Sequence, residues 1–142
     1  MTPLLTLAFF IGSWTCQGTF ANGRAVAGTI RFDSQLDGKA LVMHQDDKPP
    51  GQFHAAAYWT ADRTTNKWTA LMQDSSGGAR FFVGDAEAQT LTLLDSPILG
   101  HKPFAERFRY EKVSADSFRV TWQVQAPSGE WRTGDTQVCR KQ

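Results

Sequence analysis

The stretch Leu7-Ala8-Phe9-Phe10-Ile11-Gly12-Ser13-Trp14-Thr15-Cys16-Gln17-Gly18-Thr19-Phe20 decides the fold. From Trp14 onward, Trp14, Cys16, Gly18 and Phe20 fall on every second position. Side chains of a strand alternate between two faces, so this is the period of a half-buried strand. Asn22-Gly23 follows and predicts a two-residue hairpin turn, because both residue types tolerate positive φ. Val26, Gly28, Ile30 and Phe32 resume the alternation, and Asp37-Gly38 supplies the next turn signal.

The same rhythm continues outward. Strand-like segments are predicted at 13–21, 25–33, 39–46, 53–62, 67–73, 79–84, 89–95, 104–112, 117–125 and 131–140. Pro49 and Pro50 forbid a ladder between the third and fourth, and 96–103 is left as a loop. Short strands at regular spacing read as an antiparallel sandwich or barrel, and closure would remove the exposed edges of an open sheet. The expected fold is therefore all-β: a roughly ten-stranded antiparallel up-and-down β-barrel with a short N-terminal helix. The apolar lead-in before Trp14 has no basic residue and no small-residue cleavage site, and it is too short to span a bilayer. It is read as a helix plugging one barrel end rather than a signal peptide.

At 142 residues the chain fits a single domain, 1–142, long enough to bury a real core. Fifteen basic against fourteen acidic residues leave no electrostatic footprint for nucleic acid or an anionic membrane surface. No membrane insertion is expected, and oligomeric state is not readable. Two cysteines, Cys16 and Cys139, lie in the first and last predicted strands. If those strands pair, the sulfurs can bond, which implies a periplasmic or secreted location. Two buried thiols in a cytoplasmic protein are the alternative. Neither has a Cys or His at metal-ligand spacing, so no metal site is expected.

The lead-in with Gly12-Ser13-Trp14, Cys16 and Gly18 resembles the Gly-x-Trp opening of lipocalin-like barrels of the calycin superfamily. It is closer to small bacterial calycin-like domains of unknown function, whose last strand ends in an Arg-Lys pair, here Val138-Cys139-Arg140-Lys141. The resemblance covers essentially the whole chain and implies a ten-stranded barrel but no catalytic residue. It also implies structural closure by Trp14 and Arg140, the guanidinium covering the indole at one end.

Alternation nominates the inward side chains. Phe53, Ala55, Ala57, Trp59 and Ala61 share a face, as do Trp68, Ala70 and Met72. Small residues among large aromatics there, with Gly18 and Gly28, suggest either internal space or room for large neighbours from across the barrel. Phe104, Glu106, Phe108 and Tyr110 share a face, and a carboxylate among aromatic rings is costly to bury unless paired or protonated. Trp122 lies with Phe118, Val120 and Val124. Thr133, Asp135 and Gln137 share the face of Cys139 and would give a polar stripe, unless a bulge reverses it. The expected ligand-binding residues are Trp59, Glu106, Phe108, Tyr110 and Trp122, with Glu106 as polar anchor.

The expected function is non-catalytic binding of a small hydrophobic molecule inside the barrel. No Ser-His-Asp order, phosphate loop or paired-carboxylate motif is visible, and no cofactor is expected. One alternative is a haem-binding, nitrobindin-like barrel with redox or isomerase chemistry, with His44, His54 or His101 as ligand. The other is a solid barrel acting as an interaction module through its loops.

Overall fold

The computed structural model describes residues 5–62, 64–65, 67–87, 90–96 and 105–142. A one-turn helix, α1 (Leu7–Phe10), precedes ten strands. These are β1 (Gly12–Phe20), β2 (Ala25–Gln35), β3 (Ala40–Asp47), β4 (His54–Asp62), β5 (Lys67–Asp74), β6 (Ala79–Ala86), β7 (Thr90–Ser96), β8 (Glu106–Ser114), β9 (Ser117–Gln125) and β10 (Trp131–Lys141). Each strand pairs antiparallel with its chain neighbours, and β1 pairs with β10 to close the barrel. No helix among the described residues is long and apolar enough to cross a membrane, which says nothing of strands. His101, Phe104 and most of the 96–103 loop lie outside the described residues.

Closure places Cys16 opposite Cys139, and the two are joined by a disulfide between residues 123 apart in sequence. Both cysteines are buried inside the seam. A cross-link over so long a loop removes much of the freedom of the unfolded chain.

α1 inserts Phe10 into one end of the barrel. Its ring packs against Phe32, Trp59, Tyr110 and Phe118 at centroid distances of 5.4, 5.4, 5.9 and 5.5 Å. Trp14 Nε1 donates to the Phe10 carbonyl at 2.8 Å, tying the plug to the first strand. Trp14 is fully buried and meets the edge of Phe118 at 4.7 Å. The barrel end is closed by this aromatic cluster.

The cation at this seal differs from the expected one. Arg140 sits opposite Thr15 with its side chain exposed on the outer face. The next residue, Lys141, is opposite Trp14 and places Nζ 5.5 Å from the indole centroid. Alternation decides this: a residue adjacent to the inward Cys139 must point outward, and only the one after it returns to the Trp14 side. Gly12, at φ +130°, leaves room for the lysine, since a Cβ there would lie 2.9 Å from Lys141 Cε.

One local expectation is also revised, and one alternative is decided. Asn22-Gly23 does not form a two-residue turn. Phe20 and Arg24 pair around a three-residue loop, and only Gly23 takes positive φ, +84°. The small residues of β1 and β2 mark close approach of backbones rather than space. A Cβ on Gly18 would lie 1.8 Å from the Thr136 carbonyl oxygen, and one on Gly28 would lie 2.4 Å from that of Asp46. Ala57 and Ala70 are buried within the core that surrounds Trp59 and Trp68.

Candidate functional site

Among the described residues, the end opposite α1 is open. The β1, β3 and β9 C-termini and the β4, β6, β8 and β10 N-termini meet there around a partly enclosed cavity of about 170 Å³. Its apolar walls are Phe20, Phe53, Phe108, Val120 and Trp122. Gln45, Asp47, Arg80, Asp135 and Gln137 supply its polar groups.

β8 positions the centre of the site. Glu106, Phe108 and Tyr110 alternate inward at successive heights, opposite Val124, Trp122 and Val120 of β9. Phe108 and Trp122 face each other across this ladder and both line the cavity. Glu106, one step nearer the β8 N-terminus, is 0% exposed. Its Oε1 accepts from Trp122 Nε1 at 3.0 Å and from Arg80 Nη1 at 2.5 Å. Arg80 is 7% exposed and also holds Asp74 through Nη2, with the Met72 sulfur 3.6 Å away. One guanidinium thus bridges two carboxylates, which offsets the cost of taking all three from water. Glu106 Oε2 remains buried with no hydrogen-bond partner among the described residues.

β10 supplies the polar wall through a register shift between Thr133 and Asp135. The indole of Trp122 lies over Gly134, where a Cβ would stand 2.3 Å from Trp122 Cε3. The shift splits the expected stripe. Asp135 and Gln137 face the cavity, whereas Thr133 is exposed and Trp131 stacks under Arg107 on the outer side, 4.2 Å from ring centroid to guanidinium. Burial, then the neighbouring Asp47 carboxylate, push Asp135 up to about 6, against a lowering hydrogen bond from the Trp122 backbone. Burial likewise raises Asp47, with His54 opposing and Asp46 reinforcing. Gln137 is 3% exposed and turns its amide to the cavity.

Of the five residues expected to hold a ligand, Phe108 and Trp122 line the cavity, and Glu106 bonds to two of its lining residues, Trp122 and Arg80. Trp59 and Tyr110 do not reach it. They belong to the closed end, 5.0 Å apart between centroids and both packed against Phe10. Burial, then Asp135, push the Tyr110 hydroxyl upward, so it stays protonated. His44 points outward, and His54 is on the surface with Nδ1 2.6 Å from Asp46 Oδ1. Neither described histidine offers a ring nitrogen to the interior, so these two do not fit a proximal haem ligand.

Arg80 and Asp47 escaped the sequence reading. Arg80 follows a Gly-Gly loop and looks like a surface residue, and Asp47 stands in a run of polar loop residues. The signal was the period: Arg80 alternates with Phe82, and Asp47 with Gln45, Met43 and Leu41.

These features define a closed ten-stranded barrel with one end plugged by α1 and, among the described residues, an open, aromatic and acidic end opposite. The chain is similar to Rv2717c from M. tuberculosis, whose crystal structure superposes with a TM-score of 0.67 at 16% identity over 96% of this chain and 94% of that one. A redesigned β-barrel, b11L5F_LGL, matches with a TM-score of 0.52 at 12% identity, covering 97% and 99% of the two chains. No family model and no curated protein matches this chain. Likeness at these identities shows the fold.

Proposed function

We propose that this chain is a calycin-like, non-catalytic binding barrel that takes a small, largely apolar molecule at its open end. The cavity itself carries the reading: four aromatic rings and a valine line about 170 Å³, with polar groups converging on it from β3, β6 and β10. An apolar cavity of roughly 150 Å³ accommodates benzene, so one aromatic ring or a short branched chain fits this space. Gln137 and the carboxylates supply orientation. Glu106, tied to Arg80 and Trp122, serves as the support of the wall rather than as a direct anchor. The Cys16–Cys139 bridge favours an oxidising compartment, periplasmic or extracellular. A haem ligand from this chain would have to come from His101, outside the described residues.

The test is a titration with toluene and benzyl alcohol followed by tryptophan fluorescence. A saturable change is expected, and replacing Trp122 by Phe should remove most of it, because Trp122 is the indole in the cavity wall. The absence of saturable binding by either probe overturns the reading.

A further inference from the structure

The open end holds a charge imbalance that an apolar ligand leaves unrelieved. Arg80 is the cavity-lining cation among the described residues, and Asp74 and Glu106 already hold it. Asp47 and Asp135 also line the cavity, and no described lysine or arginine pairs with either. They come from β3 and β10, and their charges are close enough that Asp47 raises Asp135. Around them stand Phe20, Phe53, Phe108 and Trp122. Gln137, almost wholly buried, adds an amide to the lining.

We infer that the ligand is a compact organic cation, an amine or quaternary ammonium on an apolar body, held by Asp47 and Asp135 between the aromatic walls. This rests on the ligand-binding reading above and names its chemical class. Ring faces attract cations through their quadrupoles, most strongly where water is excluded. Carboxylates accept charge-assisted hydrogen bonds from an ammonium group, and a partly buried charge is tolerated best when it is paired. An anion would meet two carboxylates and find Arg80 already occupied. A neutral molecule would leave the repulsion between Asp47 and Asp135 in place.

Benzylamine, benzyl alcohol and benzoate share one ring and differ in charge. Calorimetric and fluorescence titrations at about pH 7.5 compare them on the intact, disulfide-bonded chain. Benzylamine should bind at least roughly tenfold more tightly than benzyl alcohol, with benzoate weakest. In the double variant Asp47→Asn/Asp135→Asn the amine-to-alcohol ratio should collapse to within about threefold. Equal binding of amine and alcohol overturns the cation assignment and leaves the binding barrel standing. Tighter benzoate binding overturns it in favour of Arg80 as the recognising group. An amine preference that survives the double variant removes Asp47 and Asp135 from the assignment. Binding by none of the three overturns both this inference and the binding reading.

Discussion

The two ends of this barrel are built from similar aromatic residues and behave differently. At the α1 end, Phe10, Trp14, Phe32, Trp59, Tyr110 and Phe118 are essentially fully buried and meet edge to face. At the other end, Phe20, Phe53, Phe108 and Trp122 surround a space. The strands do not differ in kind between the ends, since most contribute to both. What differs is the plug: α1 delivers Phe10 into one mouth, and the described residues deliver nothing comparable to the other. The open end instead concentrates Asp47, Asp74, Arg80, Glu106, Asp135 and Gln137. The barrel thus packs one end solid and keeps a cavity at the other. Polar groups are tolerated where they pair with each other or with an occupant.

The largest change is expected from the element common to both ends. Replacing Cys16 and Cys139 by Ser should lower unfolding stability by about 5 kcal/mol from loop entropy alone, read as a shift in the urea midpoint. A loss below about 1 kcal/mol would show that strand pairing alone holds the seam. The next largest effect falls on the open end. Arg80→Met strands Glu106 and Asp74 without their cation and should cost about 4 kcal/mol, the range for breaking a buried ion pair on one side. The companion variant Glu106→Gln keeps the hydrogen bond to Trp122 and should cost less. Equal costs would mean that charge is not what joins these residues.

Phe10→Ala attacks the contrast itself. Emptying the plug should cost about 3 kcal/mol and open a second cavity at the closed end, detectable as new saturable binding of toluene. If binding stoichiometry stays the same while stability falls, the closed end has collapsed and the asymmetry lies in the strands. The smallest effect is pH-dependent and belongs to the open end alone. Asp135 has a folded pKa of about 6 against an ordinary 3.8, so the folded state binds its proton more tightly than the unfolded state. Its contribution is fully present below the ordinary carboxylate value and is lost as pH rises through about 6. Asp135→Asn should therefore match the parent near pH 4 and exceed its stability by roughly 2 kcal/mol at pH 7.5, by urea unfolding at both pH values. A pH-independent difference would remove burial of the Asp135 charge as the cause.

Much of the architecture was legible in residue order. Every predicted strand is present within two residues of its expected bounds, because period-two alternation and turn residues are local signals. The helical plug and the Cys16–Cys139 seam were also within reach, since an apolar lead-in and two terminal cysteines have few places to go in a closed barrel. The candidate site was half legible. Glu106, Phe108 and Trp122 could be assigned to the interior by alternation, but Trp59 and Tyr110 obey the same alternation and lie at the wrong end.

Residue order alone sets the strands, the places where the chain turns and the face on which most side chains lie. Local sterics and a period of two decide those matters without reference to distant residues. Height along the barrel axis and partnership across it come from the closed fold. Those depend on register, on the bulge at Gly134 and on how deep Phe10 penetrates, all of them sums over contacts between strands remote in sequence. That is why Lys141 rather than Arg140 covers Trp14, why Thr133 leaves the polar wall, and why Arg80 meets Glu106. The site is a property of the closed barrel, in which residues from separate strands reach the same level.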